Sequence, residues 1–174
     1  TNILTNGIIG TDGYLYIFLD NKIFYFDGSN WAQALLTIPS TEYIVGASKY
    51  GDYLGVLTNE NSVFPITPAK LYVWNYASPF ASEVRDCPAG NFNILGSASN
   101  SLILVAQELA PEGIILSIVE YNNGGFSPIL NKVLPGTTSL VRWNAQSING
   151  KMYFAVNDSA VGRKYQGVWV VGKV

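Results

Sequence analysis

A strand–turn–strand pattern recurs four times along this chain at a spacing of about 48 residues, and any fold must accommodate that repeat. The segments IIGTDGYLYIFL, IVGASKYGDYLGVL, ILGSASNSLILV and VRWNAQSINGKMYFAV each join an apolar pair, small residues, a tight turn and a β-forming run. The turns expected are Asp12-Gly13, Gly51-Asp52, Asn100-Ser101 and Asn149-Gly150, residue types that tolerate the positive φ of hairpin loops. A second β-forming element follows in each copy: KIFYFDG, KLYVWNYA, ILSIVEYNNG and GVWVVGK. Pro39, Pro88 and Pro135 close the first three copies. Repeats of this length with four strands each predict an all-β chain built as β-propeller blades.

Naming the strands of each repeat A to D from ring centre to rim, the first holds Ile8 to Thr11, Tyr14 to Leu19, Lys22 to Phe26 and Ala32 to Ile38. The second is read as Tyr43 to Ser48, Tyr53 to Thr58, Lys70 to Tyr76 and Ser82 to Cys87. The third runs Asn93 to Ala98, Leu102 to Gln107, Ile114 to Tyr121 and Ser127 to Leu134. The fourth gives Val141 to Ser147, Lys151 to Val156 and Gly167 to Val171. Runs such as YLYIFL and LILVA are apolar at every position, as expected of strands buried on both faces between neighbouring blades. No window holds a helical period. The domain expectation is one propeller over residues 1–174, or a fragment of one, with repeats at about 1–40, 41–90, 91–137 and 138–174.

The expected strands stop one short of four complete antiparallel blades, because the fourth repeat lacks a D strand. Only Thr1 to Ile3 would remain to supply it from the N-terminus, too little for a strand and its loop. The chain therefore reads as part of a larger ring or as a module completed by a partner, since open edges on apolar strands invite association. The missing initiator Met fits a processed or excised piece, and TNILTNGIIG has no charged n-region of a signal peptide.

The repeat is not evenly spaced. The first A strand precedes the second by about 36 residues, against about 50 later on, because the B–C connection is only Asp20-Asn21 in the first copy. NENSVFPITPA, ELAPEG and NDSAVGRKYQ make it long in the others. All B–C connections of a propeller leave on one face, and insertions confined to one face mark a binding surface. Phe64, Glu112, Arg163 and Tyr165 are the candidate binding residues there, an aromatic and a guanidinium being types enriched at interfaces. Against this stands the low entropic cost of loop length, which lets insertions persist without a role.

Composition narrows the chemistry. The chain has no histidine, which removes the Ser-His-Asp triad and the commonest transition-metal ligand. Cys87 is the lone cysteine, so neither a disulfide framework nor a paired-cysteine zinc site is expected, and beside Asp86 and Pro88 it reads as a structural thiol. Net charge is −2 with no basic cluster beyond Arg163-Lys164, so no nucleic-acid footprint is present. No apolar stretch reaches the roughly 20 residues of a membrane span. The acidic residues are scattered over turns and loops, with no pairing of the kind glycoside hydrolysis needs. Calcium and phosphate loops are absent from the sequence, and no cofactor is implied. Asn157-Asp158-Ser159 matches a glycosylation sequon, a short pattern that arises by chance.

Phe26-Asp27-Gly28-Ser29-Asn30-Trp31 bears a distant likeness to the Asp-box of sialidase-type propellers. It lacks the leading Ser, and its Asp and Gly are adjacent, so a turn followed by an aromatic packed on a neighbouring blade explains it. Arg85, Arg142 and Arg163 fall on a rim strand, an inner strand and a loop, not on the equivalent positions an arginine triad requires. The cadence GYLYIF…IFYFDGSNW and the closing GVWVVGKV resemble the propeller repeats of phage virion and tail-associated proteins, over essentially the whole chain. That resemblance implies a non-enzymatic assembly or attachment module, located on a virion or outside the cell, that binds protein partners or further copies of itself. Glycan recognition, with Tyr and Trp rings stacking on sugars, is the alternative, and a glycosidase fragment the third.

Overall fold

The computed structural model describes residues 8–10, 12–60, 68–76, 80–88, 92–136, 140–141, 145–158 and 165–172. Every regular element among them is a strand. They divide into two compact units, residues 1–88 and 89–174.

In the first unit, β1 (Ile8–Ile9), β2 (Leu15–Leu19), β3 (Lys22–Phe26) and β4 (Trp31–Gln33) form one antiparallel meander. A second meander holds β5 (Glu42–Tyr50), β6 (Tyr53–Glu60), β7 (Lys70–Trp74) and β8 (Glu83–Asp86). Alternation places Tyr16, Phe18, Ile23, Leu54, Val56, Tyr72 and Trp74 in one core. Fully burying a side chain such as Phe18 stabilises the unit by about 1.5–3 kcal/mol. Residues 54–58 and 71–74 are buried at every position, as strands covered on both faces require. In β2 the expected two-sided burial is only partial: Tyr16 and Phe18 are buried, while Leu15, Ile17 and Leu19 are half-buried.

In the second unit, β9 (Phe92–Ala98), β10 (Ser101–Ala110), β11 (Gly113–Asn122) and β12 (Gly125–Pro135) make a third meander. The last sheet contains β13 (Leu140–Val141), β14 (Ala145–Ile148), β15 (Lys151–Asp158) and β16 (Gly167–Val171). β13 and β14 both pair with β15, at its far and near ends, so the expected A strand exists in two pieces. β16 pairs with β15. Its core includes Ile103, Val105, Leu116, Ile118, Met152, Phe154 and Val156. The third and fourth sheets are stitched at their hairpin turns, where Ser99 N donates to Gly150 O at 2.8 Å and Ser97 N to Ser147 Oγ at 2.8 Å. Gly96 permits this approach: a Cβ there would lie 2.7 Å from the Met152 sulfur.

Three expectations need correction. ELAPEG is not a long loop: β10 runs on to Ala110 and β11 starts at Gly113, leaving Pro111-Glu112 as a two-residue turn. Proline presets the first turn position, and Gly113, at φ 148°, sits where a Cβ would meet Leu134 O at 2.2 Å. Secondly, the third A–B turn is Ser99-Asn100, since Ala98 pairs with Ser101, and Ser99 takes the positive φ of 53°. Thirdly, the outer strand of the first sheet ends at Gln33 instead of Ile38. Ala34, Leu36 and Ile38 still alternate inward, but β3 begins only at Lys22, straight after the tight Asp20-Asn21 turn, so beyond Ala34 N to Ile23 O the ladder has no further partner.

Candidate functional site

A cleft of about 520 Å³ opens in the first unit, lined by Asp12, Tyr14, Tyr16, Tyr25, Ala34, Leu35, Asp52, Asn75 and Tyr76. Asp12 and Tyr14 come from the β1–β2 turn, Asp52 from the β5–β6 turn, and Asn75 and Tyr76 from the exit of β7. Most of its wall is therefore built at the A–B and C–D ends of two adjacent sheets, opposite to the B–C connections. The turn chemistry delivers the side chains. Gly13, at φ 85°, closes the β1–β2 hairpin, and Asp12 Oδ1 accepts the Tyr14 amide at 3.1 Å.

The rings are ordered by one another. Tyr14 and Tyr25 are stacked, with centroids 5.4 Å apart and planes 9° apart. Beneath them Tyr16, only 2% exposed, packs edge-on to Trp74 at 5.8 Å and against Tyr76 at 5.1 Å. Its hydroxyl donates to Asp12 Oδ2 at 2.5 Å. Burial pushes the Tyr16 phenol well above its usual pKa, and the hydrogen bond to Asp12 adds to that shift, so it stays protonated as a donor. Tyr14 is 38% exposed and Asp12, Asp52 and Asn75 are exposed, which gives the cleft an aromatic floor and a polar, acidic rim.

A second polar group lies at the other end of the β5–β8 sheet. The Glu42 carboxylate, 8% exposed, accepts from Thr58 Oγ1 at 2.6 Å, Tyr72 OH at 2.9 Å and Lys70 Nζ at 2.9 Å. Burial works against its ionisation, but the bonds from Thr58, Lys70 and Tyr72 outweigh it and hold the carboxyl below its ordinary range. Burial and the bond to Glu42 push the Tyr72 phenol up. With both its oxygens hydrogen-bonded, this knot ties β5, β6 and β7 together. Among the described residues no three His, Cys, Asp or Glu are placed to hold a metal ion.

Of the residues singled out from the sequence, Phe64 and Arg163 lie outside the described residues. Glu112 is exposed on the Pro111-Glu112 turn, and Tyr165 is half-buried against the second unit's core, its carbonyl accepting Trp169 Nε1 at 3.2 Å. Neither lines the cleft. The Asp27 loop is a turn, with Asp27 Oδ1 accepting the amides of Ser29 and Asn30 at 2.8 Å each. Trp31 is 53% exposed and lies against Phe26 of its own hairpin, with ring centroids 5.2 Å apart. Burial, then the neighbouring Asp86, pushes the Cys87 thiol up to about 12, which suits the structural role.

No family model matches the chain, and no curated protein matches it significantly. Among solved structures it resembles a chain from a structural and mechanistic study of two prolyl endopeptidases, with a TM-score of 0.58 and 14% identity. The match covers 97% of this chain and 26% of that one, so this chain spans about a quarter of the neighbour's length. At such identity the likeness is one of fold, and the neighbour contains a propeller domain. Among the described residues the chain is all-β, with four antiparallel sheets.

Proposed function

We propose that this chain is a non-enzymatic recognition module of propeller type, its sheets serving as blades and its ligand held in the tyrosine-lined cleft of the first unit. One observation carries the reading: stacked, partly exposed rings and two carboxylates converge on a concave surface, with Asp12 held by its bond from Tyr16. Long B–C connections would place binding at the opposite ends of the sheets, but the third of them is a two-residue turn. Ligand-observed NMR on mixtures of peptides, amines and sugars tests the proposal, using the chain and a Leu35→Arg variant that sets a long side chain across the cleft. Ligands recovered unchanged, whose binding the variant weakens, support it. Chemical conversion of a ligand, or binding indifferent to the variant, overturns it.

A second reading, assembly with protein partners as the virion-type resemblance implies, is favoured by β16. Val168 is 68% and Val170 53% exposed there, and among the described residues only β15 pairs with this strand. A strand from another molecule added along β16 would complete a four-strand width and set its own side chains beside both valines. Light scattering at several concentrations tests this reading. A mass above the monomer that Val168→Lys reduces supports assembly through β16, whereas a monomer throughout argues against it.

A further inference from the structure

We infer that the cleft of the first unit takes a neutral pyranose, with Tyr14 as the stacking platform and Asp12 and Asp52 as acceptors for sugar hydroxyls. The inference rests on the reading of this cleft as the recognition site, and three features select the ligand class.

Charge is the first. The lining contains two carboxylates and neither Lys nor Arg, so it repels phosphates, uronic acids and other anions. Ring geometry is the second, and it separates a sugar from an organic cation. An aromatic cage for an ammonium group surrounds the cation with several ring faces that converge on it. Here Tyr14 and Tyr25 are within 9° of parallel and stacked on each other, and Tyr16 is too buried to offer a face. Tyr76 also lines the cleft but is tilted against Tyr16 and Trp74, at 5.1 and 5.6 Å. Tyr14 is therefore the most open ring: Tyr25 covers one side of it, and its 38% exposure leaves ring surface open. The flat C–H face of a pyranose fits such a platform.

Hydrogen-bonding sense is the third. An ionised carboxylate only accepts, whereas each sugar hydroxyl can donate, so Asp12 and Asp52 are matched to a polyol. Asp12 is held in place by the Tyr14 amide and the Tyr16 hydroxyl, each taking one oxygen and leaving a further acceptor site on it. Asn75 also lines the cleft, and its side chain is of a type that both donates and accepts. A volume of about 520 Å³ suits a small ligand and its waters better than a folded protein segment.

The test is NMR titration of the full chain with four neutral sugars, the methyl glycosides of glucose, galactose and mannose and N-acetylglucosamine, beside glucuronate and tetramethylammonium. The expected result is saturable shifts at the Tyr14, Tyr25 and Tyr76 rings with at least one neutral sugar, and weaker binding of glucuronate than of the glucoside. Tyr14→Ala is expected to weaken the sugar about tenfold, the scale of one aromatic stacking contact. Asp52→Asn, on an exposed turn, provides a second variant and is expected to weaken it less. If only tetramethylammonium shifts the cleft rings, the sugar assignment is overturned and the cleft remains the recognition site. Sugar binding untouched by Tyr14→Ala also overturns the assignment. If no probe reaches the cleft rings, the inference and the reading beneath it both fail.

Discussion

The Tyr16 hydroxyl and the Asp12 carboxylate meet at 2.5 Å across the β1–β2 turn, and this bond connects the core of the first unit to the rim of its cleft. Tyr16 belongs to the buried cluster with Phe18 and Trp74, whereas Asp12 stands in solvent beside Tyr14. The bond thus ties the position of the carboxylate to a ring packed in the core.

Replacing Tyr16 by Phe keeps the ring contacts with Trp74 and Tyr76 and removes only this bond. The expected loss is about 1.5 kcal/mol, the low end for a bond to a charged acceptor, because Asp12 can turn back to water. Urea unfolding of the variant checks it. A lower midpoint with an unchanged slope is expected, and an unshifted midpoint would mean that the bond contributes nothing net.

Gly10→Ala is expected to destabilise the first unit by about 1–3 kcal/mol through overpacking. Its Cβ would lie 2.4 Å from Asp12 Oδ1, 2.8 Å from Tyr16 Cε2 and 2.9 Å from Tyr76 Cε1, so the cleft distorts as the fold weakens. Gly13→Ala has open space around the new atom but a φ of 85°, and is expected to cost about 1–2 kcal/mol from backbone strain. Near-ultraviolet circular dichroism separates the two: the tyrosine signal changes in Gly10→Ala and is kept in Gly13→Ala.

Stability is expected to fall in acid partly through Glu42. Its folded pKa lies below that of the unfolded chain, so its contribution is fully present above the unfolded carboxyl value, about 4.3, and is lost as pH falls through the folded one. Unfolding midpoints measured from pH 7 to 3 should therefore drop less steeply below about pH 4.3 in Glu42→Gln than in the parent chain. Parallel curves for the two would refute the assignment.

Cys87 is expected to resist alkylation by iodoacetamide at pH 8 in the folded chain and to react fully once unfolded, since burial keeps its thiol protonated with a pKa near 12. Mass spectrometry with and without denaturant reads the difference. Rapid labelling of the native chain would contradict the burial.

The repeat made much of the fold legible because the strands of these antiparallel sheets are written in local terms, alternation between turn residues. β3 at Lys22–Phe26 and β16 at Gly167–Val171 fall at the bounds read from the sequence. Errors arose where pairing partners decide the outcome. Residues 34–38 alternate like a strand, but the strand beside them stops at a two-residue turn. ELAPEG has loop-like residues, but Leu109 and Ala110 pair with Ile114 and Gly113 and extend the hairpin. The cleft was not legible, because residues from 12 to 76 reach it by the packing of one sheet beside another. A signal lies in Asp12-Gly13-Tyr14-Leu15-Tyr16 and Gly51-Asp52-Tyr53, where acids in turns adjoin tyrosines, at the ends of the sheets opposite to the B–C connections.

The segment after β4 separates two properties that strands ordinarily supply together, dry side chains and shielded amides. Ala34, Leu36 and Ile38 are buried, while its backbone ties are Ala34 N to Ile23 O and the Ile38 carbonyl to the Asn21 amide group. Solvent deuterium therefore enters residues 35–38 early, before the neighbouring β2 and β3 exchange. Ala34 and Leu35 are also part of the cleft wall. One side of the cleft is thus held by its side chains with little backbone pairing, and it can yield by small displacements to ligands of different outline while the rings opposite keep their place.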